Sequence, residues 1–137
     1  MMKKGFYAVA FLLVGVLVLM LLTSCKATKK IYVEKNSSYF DSFEIRNDKV
    51  LISCHLTLIN KYNADKTVML SARLPEDVTI GLLKKEEISA LNKDGSEITF
   101  LLPPNSKKSF DVVFIGEFAG TNQKYNRNLP EVDIKIV

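Results

Sequence analysis

A chain of 137 residues has room for one domain, and removal of the first 24 leaves 113, still enough to bury a modest core. The formal charge of +4 belongs to the leading part, since from Asn36 onward 13 Lys/Arg face 14 Asp/Glu; the body is near neutral and lacks the clustered positive charge that a nucleic-acid partner requires. With only two cysteines, Cys25 and Cys54, use of the first in an anchor leaves the second with no partner in the chain, and the domain must stand on packing alone.

Lys3 and Lys4 form a short positive start, and residues 6–22 are an unbroken apolar run of 17 in which Gly15 is the one weak helix former. This is an export signal. The run closes on Leu22-Thr23-Ser24-Cys25, which resembles the lipobox of bacterial lipoproteins: an aliphatic residue, two small residues and the cysteine that is acylated. The resemblance implies cleavage before Cys25, lipid on its thiol, and a domain held outside the cytoplasm on the bacterial cell membrane or outer membrane. The competing reading is an uncleaved apolar anchor helix, because 17 residues rising about 1.5 Å each reach about 26 Å, the lower limit for a bilayer. Residues 25–38 follow as a polar tether without apolar period, in which Lys26, Lys29, Lys30 and Lys35 can each contribute about 1 kcal/mol near anionic headgroups.

The domain is expected over residues 39–137. Phe40, Phe43 and Ile45 suggest a first strand, and Arg46-Asn47-Asp48-Lys49 a hairpin turn. Val50, Ile52, Cys54, Leu56 and Leu58 alternate with Leu51, Ser53, His55, Thr57 and Ile59, so a long strand should bury the first set and turn Ser53, His55 and Thr57 outward. After a polar loop at 60–66 comes a third strand at 67–74, stopped by Pro75. Residues 78–83 read as a short irregular strand or 3₁₀ turn. Residues 86–91 and 97–102 should pair as a hairpin around Asn92-Lys93-Asp94-Gly95, with glycine supplying a positive φ. Pro103-Pro104-Asn105-Ser106 is a further turn. The strand at 107–118 is apolar on both faces, through Phe110, Val112 and Phe114 on one and Val113 and Ile115 on the other, which marks a central strand. A polar loop at 120–128 leads to a last strand at 130–137.

Six to eight strands with no helical period after the leader argue an all-β sandwich. The strand end Leu58-Ile59-Asn60, and the two apolar segments 100–102 and 110–114 joined by the proline turn, resemble immunoglobulin-like or fibronectin-III-like domains of small bacterial lipoproteins. That likeness implies an antiparallel sandwich with loops gathered at its two ends. The chain departs from the antibody type in having no Trp and no cysteine pair.

Chemistry is sparse. His55 is the sole histidine, no ligand-spaced cluster accompanies it, and strand geometry points it away from Cys54. No cofactor fingerprint or phosphate loop is present. Glu76-Asp77 and Glu86-Glu87, beside Lys84 and Lys85, read as a solvated face. The expected activity is therefore non-enzymatic, with no catalytic residue, metal or cofactor. Candidate binding residues are Tyr125, Asn126 and Arg127 in the last polar loop and Tyr62 in the first, a composition suited to protein or glycan contacts. Whether the two loops share an end depends on strand order. The leading expectation is a membrane-tethered module that binds or supports another envelope component. The alternatives are an enzyme or accessory domain of envelope hydrolysis, and a structural, stress-protective lipoprotein resembling the desiccation-associated sandwiches.

Overall fold

The alternation beginning at Val50 does what a period of two dictates. Val50, Ile52, Cys54, Leu56 and Leu58 are all at most 1% exposed and line one face of β3 (Lys49–Asn60), each aliphatic side chain contributing about 1.5–3 kcal/mol by leaving water. Burial pushes the Cys54 thiol up to about 11, with the Asp41 carboxylate adding to the shift, so the group packs as a small apolar side chain. The computed structural model describes residues 30–122 and 126–137. The apolar leader expected as signal or anchor helix, Cys25 and Tyr125 lie outside the described residues.

The fold is all-β and built of two antiparallel sheets. In the first, β1 (Ile31–Val33) and β2 (Tyr39–Arg46) lie end to end along one edge of β3, while β7 (Ser106–Glu117) pairs with the whole of the other edge. In the second, β4 (Lys66–Arg73) is central: β5 (Glu87–Ser89) and β6 (Phe100–Leu102) share one edge and β8 (Glu131–Ile136) takes the other. Inward residues of both sheets, among them Ile52 and Leu56 of β3, Leu70 and Ala72 of β4 and Phe114 of β7, form one apolar cluster. Two turns behave as their residues predict. Asn47 and Asp48 take φ of 51° and 59°, the paired positive values of a two-residue hairpin that suits the strand twist. Gly95 takes φ of 84°, and the Asp94 carboxyl, accepting from the Ser96 hydroxyl and amide, is held below its usual range.

Four expectations need correction. The tether does not run to residue 38: Ile31–Val33 pairs with Leu58–Asn60 of β3, and a 3₁₀ turn (Lys35–Ser37) folds over the outer face so that Thr57, expected outward and exposed, is 1% exposed and bonded to the Ser37 carbonyl and Ser109 hydroxyl. Where residues 78–83 were expected as a short irregular strand or 3₁₀ turn, a five-residue helix, α1 (Pro75–Thr79), takes the first of them, with proline opening it and Glu76 and Asp77 in its first turn, and a turn at Ile80 and Gly81 follows. The expected hairpin around Asn92 closes over a single bridge, Leu91 to Glu97. Its arms diverge because each finds a better partner in β4, β5 against Ser71–Arg73 and β6 against Lys66–Val68. Finally, β7 is flanked by a full strand on one side only; its outer edge meets an isolated bridge from Ala90 at Phe114, and Leu83 bridges Phe118 just past its end.

That outer edge is closed by a fit the sequence conceals. A Cβ at Gly116 would lie 2.6 Å from Ile88 Cγ2 and 2.8 Å from Leu83 Cδ2, so the missing side chain is what lets β5 and the residues before it seat on β7. Gly116→Ala should lower stability by about 1–3 kcal/mol, the usual cost of overpacking, read as a lowered urea midpoint. An unchanged midpoint would show that Ile88 does not rest there.

Candidate functional site

Arg127 was expected to project from its loop toward a partner, and the fold turns it inward instead. Its Nη1 donates to Asp77 Oδ2 at 2.9 Å, with side-chain exposures of 10% and 0%, and its guanidinium lies 4.3 Å from the centre of the Phe43 ring. Asp77, expected on a solvated face, is thus buried under the loop. Its backbone oxygen also accepts from the amides of Leu82 and Leu83, and the cation above Phe43 is desolvated, where such contacts are strongest. The knot joins α1, β2 and the last loop around a small pocket of about 290 Å³ bounded by Phe40, Leu74 and Leu129. Asn126 beside it is exposed.

Tyr62 lies at the opposite end. It follows Asn60, whose side chain is 0% exposed. The Asn60 amide nitrogen donates to the carbonyls of Ala64, Leu102 and Pro103, and its oxygen accepts the Tyr62 amide. The Asn105 amide in turn donates to the Tyr62 carbonyl. The half-buried ring sits between two ammonium groups, Lys30 Nζ at 5.0 Å and Lys66 Nζ at 4.6 Å from its centre. The two loops therefore do not form one site. β3 and β4 each run from one end to the other, with Asn60 and Lys66 at the Tyr62 end and Lys49 and Arg73 at the Arg127 end.

A second concavity, larger than the first, lies where the sequence suggests no site. Opposed residues on the outer face of the first sheet form the rows Ser42–Ser53–Val113, Glu44–Leu51–Ile115 and Arg46–Lys49–Glu117. Leu51, Val113 and Ile115 give an apolar floor, and the segment carrying Leu91, Lys93 and Asp94 makes a wall, enclosing about 870 Å³. The rim is charged, with Arg46 bonded to Glu44 at 2.7 Å and Glu117 3.8 Å from both Lys49 and Lys84. These exposed pairs add little stability; their effect is to border an apolar strip with both signs of charge. The signal was present in the two-faced apolar pattern of β7, whose second face covers this floor rather than a further sheet.

Further along the same face, His55 stacks on Tyr39 with ring centres 5.0 Å apart, and its Nδ1 lies 2.9 Å from Asp111 Oδ1. Cys54 faces the core, as the alternation requires. Among the described residues no group of three His, Cys, Asp or Glu side chains is placed to hold a metal ion.

Comparison with protein-family models, curated proteins and solved structures finds no match for this chain. What the site can do is therefore read from its own residues.

The buried pair yields a direct test. Arg127→Ala removes the guanidinium facing Asp77 and should cost about 3–5 kcal/mol, the usual penalty for breaking a buried ion pair, whereas Asn126→Ala should change stability by under about 0.5 kcal/mol. Equal urea midpoints for the two variants would contradict the buried placement.

Proposed function

We propose that the chain is a lipid-anchored, non-enzymatic module with an immunoglobulin-like sandwich, which binds or supports another component of the bacterial envelope. The lipobox-like Leu22-Thr23-Ser24-Cys25 supports the anchor. The binding role is carried by the groove over Leu51, Val113 and Ile115: a mid-sized concavity with an apolar floor and paired charges at its border has the composition of a recognition surface. The antiparallel pairings, the single shared core and the loops gathered at two ends support the immunoglobulin-like assignment.

Anchor and groove are testable separately. In cells fed an alkyne-bearing fatty acid, the wild-type chain should take up label and Cys25→Ala should take up none and accumulate as the larger precursor. Equal labelling of both would overturn the lipid anchor. For the groove, a photo-crosslinking residue at Val113 should give a discrete adduct in intact cells, and the same residue at Lys135, on the outer face of the other sheet, should not. No adduct at Val113 would overturn the groove as the binding surface.

A further inference from the structure

The near-neutral domain is not evenly neutral. Around Tyr62 the exposed or half-exposed charges are Lys30, Lys61, Lys66, Lys107 and Lys108 against Glu34 and Asp65. Glu34 is already engaged, since Lys107 Nζ lies 2.6 Å from its Oε2, and this contact with the Ser37 hydroxyl holds its carboxyl below the usual range. At the other end the balance reverses. Once Glu44–Arg46, Asp77–Arg127 and Arg73–Asp133 are paired off, Asp48, Glu76, Glu86, Glu87, Glu117 and Glu131 outnumber Lys49, Lys84 and Lys85. The domain thus has a positive pole and a negative pole along the strand axis.

The tether fixes which pole can reach a membrane. The described chain begins at Lys30, hydrogen-bonded through its carbonyl to the Lys61 amide at the positive pole. The five residues from Cys25 to Lys29 span at most about 17 Å when extended. A 12-residue strand such as β3 is about 40 Å long, so the negative pole lies beyond the tether's reach unless the domain tips onto its side. An upright seat brings five lysines to the surface, each contributing about 1 kcal/mol within a Debye length of anionic lipid. It also brings Tyr62, an aromatic type favoured at the interface, and the exposed apolar Leu101, 54% accessible.

We propose that the Tyr62 end is a docking surface for an anionic phospholipid bilayer, which stands the domain upright and holds the groove, about nine residues up β3 at Leu51, roughly 30 Å above the headgroups. This rests on the lipid-anchor reading. A partner would then be met at a set height and from the side.

The chain contains no Trp, so a single introduced one is a clean reporter. Protein purified in detergent from the membranes of expressing bacteria and carrying Leu101→Trp, or Val78→Trp on α1 at the far end, is reconstituted in phosphatidylglycerol or in phosphatidylcholine vesicles with a headgroup spin-labelled lipid as quencher. In phosphatidylglycerol at low salt, Trp fluorescence at position 101 should be quenched at least about twofold more than at 78. The difference should shrink to what the tether alone imposes in phosphatidylcholine, and also with Lys61→Glu, Lys66→Glu and Lys108→Glu combined; an undiminished difference in both would overturn the electrostatic docking. Equal quenching at the two positions in phosphatidylglycerol, with the chain still vesicle-bound, would overturn the docking pole and leave the anchor standing. Release of the wild-type chain from both vesicle types on washing would overturn the anchor and the pole with it.

Discussion

Every pairing between named strands in this domain includes β3 or β4. The other strands are held to the sheets by those two, and Cys54 is the one free cysteine among the described residues, buried against the core. With no crosslink to constrain the unfolded chain, the fold depends on two long strands each keeping one fully apolar face. The constraint is strict because a slip of one residue along β3 would carry Val50, Ile52, Leu56 and Leu58 to the outer face together. Each central strand also has one edge filled by a single partner and the other shared by two short strands, β1 with β2 and β5 with β6. The split edges arise where the chain leaves the ladder and returns, at the 3₁₀ turn and at the 90–99 excursion, and the second of these builds the wall of the groove.

What could be read from the sequence follows from this arrangement. β3 and the inward face of β7 were legible because their period of two is complete within one stretch of chain. The Asn47-Asp48 and Gly95 turns were legible because their chemistry is local. β1 was not, since three residues carry too little pattern and Ile31 owes its burial to a ladder with Asn60, 29 positions on. The Asn92 turn was read correctly and its arms were not, because β4 competes for them over a sequence distance no turn residue reports. Among candidate site residues, Tyr62 emerged as a half-buried ring in an ordered loop. Arg127 and Asp77 were both read as solvent-facing, being polar residues in polar surroundings, and only their meeting across 50 residues makes each a buried charge.

The same meeting divides the molecule by role. Arg127 and Asp77 spend their charges on each other beside the Phe43 ring, which ties this end of the domain together and leaves Asn126 on the surface. The groove took its floor from Leu51, Val113 and Ile115, side chains that a sandwich with a third layer would have buried. They are instead half-buried beneath the segment that carries Leu91, Lys93 and Asp94, which makes the outer face of the first sheet the surface where apolar side chains and charged pairs meet.

Asn60 holds the Tyr62 end together as the Arg127–Asp77 pair holds the other. Its fully buried amide meets three carbonyls, from the loop at Ala64, the end of β6 at Leu102 and the proline turn at Pro103, and its oxygen fixes the Tyr62 amide. Four backbone groups are thereby satisfied at the last residue of β3, one of the two 12-residue strands, and the loop bearing Tyr62 is tied to the core. A surface loop ordered in this way loses little further entropy when it meets another surface. An isolated lysine–tyrosine cluster on a flexible loop would lose much of its roughly 1 kcal/mol per charge in being ordered; here that ordering is already a by-product of folding. The buried asparagine, which in sequence looks only like the polar end of a strand, is what fixes the loop on which the proposed docking surface rests.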